Sequence, residues 1–243
     1  MPTYDGERSV GDVIRSLQAT WSAPGSILVV DDGSRDATAR VAREAGAIVV
    51  AHPSNRGKGA ALRTGLARAL EAGFDVAVTV DADGQHPASE AARLLDPEID
   101  PEALVLGIRD LVRAGAPKPN QTSNRISNFF LSTFAGQRLA DTQCGLRRYP
   151  IAATLDLDAR DDGYAFEAEV ILRAIAAGMP VVELPIRVFY PPERDRITHF
   201  DSVRDPMRII GRVVKTLAAT GGMRHAAPSR GRTGPGGAVP GSA

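Results

Sequence analysis

Apolar residues in the first half of the chain fall into short unbroken runs. Residues 26–30, 47–50 and 75–80 are each dominated by small, aliphatic or β-branched side chains, with Val76-Ala77-Val78-Thr79-Val80 the clearest case. Runs of this length and type predict strands buried on both faces. The stretches between them change to helical spacing. Residues 12–20 place Val13 and Leu17 on one side with Arg15 and Gln18 outward, and helices are also expected over 34–45 and 60–72. Alternating strands and helices predict an α/β fold, a parallel sheet with right-handed crossovers. Residues 1–6 read as a loop with no strand before them.

The second half is less regular. It predicts a short helix over 87–95, a strand over 104–107 leading to Arg109, and a helix over 120–134 with Ile126, Phe129, Phe130 and Phe134 on its apolar face. Residues 141–147 are polar and turn-like. A helix over 164–177 carries Glu167 and Glu169, a strand covers 181–188, and a charged loop covers 191–196. Residues 206–219 form an amphipathic pattern. From 221 to 243 the chain is mostly Gly, Pro, Ser, Arg and Ala, a composition that predicts disorder. The organisation expected is one domain over 1–220 and a disordered tail.

Two of the buried strands end in carboxylates, one in Asp31-Asp32-Gly33-Ser34 and the other in Asp81-Ala82-Asp83-Gly84-Gln85-His86. In open α/β sheets, ligands bind outside the carboxyl ends of the strands. Asp81 and Asp83 on a short loop are hard oxygen ligands of the kind Mg²⁺ or Mn²⁺ prefers. Taken alone, Asp-x-Asp is more often a solvated turn. The chain has 243 residues with 29 basic and 29 acidic side chains, so bulk electrostatics offers nothing to a nucleic acid. The single cysteine, Cys144, fits a reducing compartment. No apolar stretch reaches the ~18 residues of a membrane span, and no signal-peptide pattern is present. A cytoplasmic protein, soluble or peripheral on the inner face of the membrane, is expected.

Six short motifs stand in one order: Pro2-Thr3-Tyr4, Val29-Val30-Asp31-Asp32-Gly33-Ser34, Asn55-Arg56-Gly57-Lys58-Gly59, Asp81-Ala82-Asp83-Gly84-Gln85-His86, Gly107-Ile108-Arg109 and Asp141-Thr142-Gln143-Cys144-Gly145. Together they resemble the family 2 inverting glycosyltransferases of the GT-A fold, in particular the branch that makes polyprenyl-phosphate sugars. The resemblance implies a Rossmann-like, mostly parallel sheet flanked by helices. It implies that Pro2, Tyr4, Ala82 and Asp32 line a nucleotide pocket, Asp32 accepting hydrogen bonds from the base. It gives Asp81, Asp83 and Gln85 to a Mg²⁺ or Mn²⁺ ion on the diphosphate of a GDP- or UDP-sugar. Arg109 would hold phosphate, Arg125 would face the acceptor phosphate, and Arg194 and His199 would lie in a loop closing over the diphosphate. Lys58 has two readings, a structural turn and a cation near the sugar nucleotide; the spacing of a P-loop is absent. Gly145 is expected to support a turn. Cys144 is expected to be a packed thiol, because no His lies near it in sequence.

An inverting transfer to a hydroxyl needs a general base, whereas a phosphate acceptor is already anionic. Asp141, Glu167 and Glu169 are the candidate bases. The acidic pair that hydroxyl-using relatives carry before a late helix is missing, which favours a lipid-phosphate acceptor. A sugar or lipid hydroxyl as acceptor, and a catalytically idle membrane-associated scaffold, stay open as alternatives. The basic and apolar faces of residues 206–219 suit either an anionic membrane surface or packing on the domain itself. Two departures from the family pattern stand out. Asp5 and Gly6 occupy the place of Asn-Glu, and Met1 stands where a central strand should end. The first strand therefore reads as truncated, which predicts either a start further upstream or a sheet damaged at its centre.

Overall fold

The computed structural model describes residues 1–21, 27–190 and 211. In chain order the elements are β1 (Pro2–Thr3), α1 (Val10–Thr20), β2 (Leu28–Asp31), α2 (Thr38–Glu44), β3 (Ile48–Ala51), α3 (Lys58–Glu71), β4 (Val76–Thr79), α4 (Ala88–Arg93), β5 (Leu104–Arg109), α5 (Lys118–Ala135), β6 (Arg147–Pro150), α6 (Ile151–Asp156), α7 (Ala165–Ala176) and β7 (Val181–Ile186). The helices and strands expected in the first half form where the spacing places them. In α1, Val10, Val13, Ile14 and Leu17 are buried, an i, i+3, i+4, i+7 stripe that faces the sheet. The expected helix over 206–219 (Gly211 apart), the tail over 221–243, and Arg194 and His199 lie outside the described residues.

The strands form two sheets, ordered β1-β2-β3 and β4-β6-β5-β7. The first is wholly parallel, with Val30 opposite Pro2 on one side and Val50 on the other. In the second, β5 and β7 are parallel, but β6 runs antiparallel between β4 and β5. Two expectations are corrected here. Residues 2–3, read as loop, are a strand, and residues 147–150, the strand β6, follow directly on a segment read as turn. The break between the sheets falls beside β1, which is two residues long and pairs with β2 alone among the described strands. The Met1 ammonium donates to the Leu28 carbonyl at 2.8 Å and is buried, and burial pushes its pKa down to about 5.

Alternation along β5 serves two cores. Leu104 and Leu106 join a cluster with Leu131, Tyr149, Phe166 and Ile171, which belong to α5, β6 and α7. Val105 points the other way, to Val10, Ile14, Val29, Ala91 and Leu146 beneath α1 and α4. Helices thus cover both faces, and the carboxyl ends of β4 and β5 open toward the segment between α5 and β6.

Candidate active site

Asp81 follows β4 by two residues. Its carboxylate lies against the backbone of Gly145, so closely that a Cβ there would stand 2.1 Å from Asp81 Oδ2. Gly145 has an ordinary negative-φ backbone, so its smallness makes room for a carboxylate rather than permitting a turn, correcting the expected role. Lys58 opens α3 just after Gly57, whose φ of 100° suits glycine. The Lys58 ammonium lies 2.9 Å from Asp81 Oδ1 and 3.1 Å from Glu167 Oε2, in the first turn of α7. Burial works against the charge on Lys58, but Asp81 and Glu167 outweigh it and raise its pKa. The same pairing acts on Asp81: burial pushes it up, and Lys58, joined by His86 and Arg109, offsets that and holds it down at about 2. Asp83 lacks such a partner. Burial, then repulsion from Asp81, pushes it up to about 6.

Arg109 ends β5 and meets Asp141 edge on. Its Nε donates to Asp141 Oδ2 at 2.7 Å and its Nη2 to Oδ1 at 3.0 Å, a bidentate pair with Asp141 fully buried. The backbone N–H groups of Arg109 and Gln143 also donate to Asp141, each at 3.2 Å. Asp141 is thereby held in place by four donors, and it fixes Arg109 and the loop after it. Glu169 is held in a similar way, accepting from the backbone of Arg160 and Asp161 and from Arg173.

Arg147, missed by the sequence reading, is wholly buried and ties the site together. Nε donates to the Cys144 carbonyl, Nη1 to the Glu167 carbonyl and Nη2 to the Thr142 carbonyl, at 2.8 to 2.9 Å. One side chain thus joins the loop that touches Asp81 to the helix that carries Glu167. Its only sequence signal is a pair of arginines opening a strand whose other residues are Tyr149 and Pro150. His86 was also missed as a neighbour of Cys144: its Nε2 is 3.6 Å from the thiol sulfur.

A cleft of ≈ 130 Å³ collects these groups. Lys58, Asp81, Asp83, Gln85, Arg109 and Glu167 line it, with Tyr164, Tyr190, Asn120, Ser127, Thr142 and Gln143. Pro2, Tyr4, Asp32, Ala82 and Arg125 do not. Asp32 turns inward, accepting from His52 Nδ1 at 2.6 Å and from the backbone N–H groups of Arg56 at 3.0 Å and Gly57 at 2.7 Å. Arg125 sits on the exposed face of α5. A divalent ion fits the chemistry of this cleft. Asp81, Asp83 and the Gln85 amide are hard oxygen donors, and the two carboxylates repel each other enough to raise one pKa, a repulsion a cation would relieve. Among the described residues no cluster of three or more His, Cys, Asp or Glu side chains offers a fuller cage. Two carboxylates with room beside them suit an ion that keeps waters and phosphate oxygens as ligands.

Helices on both faces of a split sheet, and a charged cleft at the strand ends, make this a GT-A type glycosyltransferase fold. The solved structure of glucosyl-3-phosphoglycerate synthase from Mycobacterium tuberculosis, in complex with Mn²⁺ and uridine-diphosphate-glucose, matches 93% of this chain and 78% of its own with a TM-score of 0.66 at 19% identity. A model of glycosyl transferase family 2 matches residues 1–155, and the chain belongs to that family. Its relatives include a polyprenol monophosphomannose synthase of Mycolicibacterium smegmatis, 36% identical over 206 residues covering 76% of this chain and 74% of the relative. A UDP-N-acetylglucosamine–dolichyl-phosphate N-acetylglucosaminyltransferase of Methanococcus voltae is 30% identical over 213 residues, covering 78% and 84%. Both names belong to the branch that the motifs resemble.

Proposed function

We propose that this chain moves a sugar from a nucleotide-sugar donor to a polyprenyl phosphate or similar lipid phosphate, with inversion, using Mg²⁺ or Mn²⁺ held by Asp81, Asp83 and Gln85. The observation that carries the acceptor assignment is the state of the carboxylates. Asp141 is paired with Arg109, Glu167 shares Lys58 with Asp81, and Glu169 is held by backbone donors and Arg173. The remaining pair, Asp81 and Asp83, is the ion's. A hydroxyl acceptor would need one of these groups as a base, whereas a phosphate oxygen needs none. The relatives named for dolichyl and polyprenol phosphates point the same way. The Mn²⁺ and UDP-glucose of the structural neighbour support a metal and a nucleotide-sugar donor.

In this reading a phosphate oxygen of the acceptor bonds to the anomeric carbon. The bond from that carbon to the diphosphate breaks, and its electron pair leaves with the nucleoside diphosphate. When bound, the divalent ion supplies charge neutralisation for that leaving group. Arg109, held in one orientation by Asp141, and Lys58 place positive charge in the same cleft and cost no reorganisation as charge develops. No helix among the described residues is long and apolar enough to cross a membrane.

The test is turnover of GDP- and UDP-sugars with Mn²⁺ and a short polyprenyl phosphate, intact chain against Asp83→Ala. Product carrying both sugar and lipid, lost in the variant, is expected. Donor turnover onto sugar or lipid hydroxyls, with none onto lipid phosphate, would replace the acceptor assignment. A folded chain that neither binds nor turns over any donor would leave an idle scaffold.

A further inference from the structure

The ammonium of Lys58 stands where a divalent ion would need to approach Asp81. It is 2.9 Å from Asp81 Oδ1, its side chain is 17% exposed, and it sits 6.0 Å from the centre of the Tyr164 ring. Two cations on one carboxylate oxygen repel strongly in a shielded cleft. Lysine, a compact charge on a flexible four-carbon stem, can move a few ångströms without leaving its helix. Glu167 gives it somewhere to go. One oxygen, Oε2, is already 3.1 Å from the ammonium. The other, Oε1, is buried without a hydrogen-bond partner, with Arg147 Nε 3.7 Å away, and can accept a further donor. Glu167 is itself held in place, because Arg147 Nη1 grips its backbone carbonyl at 2.8 Å.

We propose that Lys58 is a resident counter-ion of the metal site, neutralising Asp81 until a divalent ion arrives and then passing wholly to Glu167. Lys58 and the ion compete for Asp81, and Glu167 sets the terms by holding the displaced ammonium inside the cleft. Lys58 is thus a positioning residue: it keeps two buried carboxylates compatible with the fold before loading, and after loading it is parked beside the diphosphate site. This rests on the reading that Asp81 and Asp83 hold the ion.

The experiment is titration of the full chain with Mn²⁺ alone near pH 7.5, free ion read by its electron paramagnetic resonance signal. Folding of each variant is checked by circular dichroism. Lys58→Met should bind Mn²⁺ tenfold or more tighter than wild type, an effect that damage to the site would not produce. Glu167→Gln should bind several-fold more weakly, because the ammonium is then left to Asp81 alone. Lys58→Arg, which keeps a cation, should not show the tightening. Folded Lys58→Met with equal or weaker affinity would overturn the proposal. If wild-type binding is present and lost in Asp83→Asn, that failure concerns Lys58 alone. If neither wild type nor Lys58→Met binds, the metal reading falls with it.

Discussion

Two apolar strands of this protein end in carboxylates, and the structure treats them in opposite ways. After β2, Asp31 accepts from the Ser34 backbone and hydroxyl, and Asp32 accepts from His52 and two backbone N–H groups. Both are almost fully buried, at 5% and 3% exposure. After β4, Asp81 pairs with Lys58 and Asp83 accepts from the Gln85 backbone N–H, and the Asp81 side chain keeps 26% of its surface open to the cleft. Local sequence is similar, since each pair ends a β-rich run and precedes a glycine at positive φ. What separates them is the supply of donors from the surrounding chain. A carboxylate given all its donors by the fold is a brace for a loop. One left short of donors, beside a like charge, waits for a ligand.

The sharpest way to break that contrast is to remove one member of each pair. Asp83→Ala should cut transfer about a thousandfold, since metal stabilisation of several kcal/mol is at stake at 1.36 kcal/mol per tenfold. Its metal-free stability should hold or rise, because a repelling charge is gone. Asp32→Ala should do the reverse, lowering stability by about 1–3 kcal/mol in urea unfolding by leaving buried donors unpaired. If Asp32→Ala instead stays fully stable and raises only the donor KM, then Asp32 reads the nucleotide base, as the family resemblance implies.

The next effect in size concerns the wall behind Asp81. Gly145→Ala would place a methyl group inside the carboxylate's contact distance, and the Asp81 side chain must shift. A displacement of about 1 Å at a reacting site costs about a hundredfold in turnover. Steady-state kinetics should show that loss with only a small change in Tm, because the group that gives way faces the cleft. An unaltered rate would mean that Asp81 is not held where catalysis needs it.

Much of this was legible in the chain itself. The buried runs ending at Asp31 and Asp81 gave β2 and β4, and glycine-flanked Lys58 fell at the start of α3, where the motif places it. The strand β6 was not legible, because half of it is Arg147 and Arg148, and charge reads as surface. Arg147 is buried only because three carbonyls from elsewhere in the chain converge on it, a fact no local pattern contains. The partner of Asp141 was hidden for the same reason: Arg109, which meets both its oxygens, lies 32 residues earlier.

A smaller effect follows from the pKa contrast within the proposed metal pair. Asp81 stays ionised down to about pH 2, while Asp83 takes up a proton near pH 6. Its folded value lies above the ordinary 3.8, so the folded chain binds the extra proton between those values. Stability of the metal-free protein should therefore fall as pH rises from about 4 to about 6 and then level off. Mn²⁺ affinity should move the opposite way, dropping about tenfold per pH unit below about 6 as the carboxylate is lost. Asp83→Asn should abolish both slopes. A wild-type affinity that is flat across pH 5 to 7 would mean that Asp83 is not a ligand.

The smallest effect concerns the thiol. Sequence gave Cys144 no histidine, and the structure gives it one, with His86 Nε2 at 3.6 Å. Proximity alone would suggest a thiolate–imidazolium pair, but burial decides otherwise for both partners. It pushes the thiol up to about 12 and the imidazole down to about 4, so both stay neutral near pH 7. The sulfur is wholly buried and packs with Val105, Leu146 and Ile186. Iodoacetamide should therefore fail to label the native protein over hours and label it promptly in urea. Cys144→Ser should keep transfer within about threefold while costing about 1 kcal/mol in stability, the price of a hydroxyl in an apolar contact. Fast native labelling, or a rate collapse in a stably folded Cys144→Ser, would put the thiol into the chemistry.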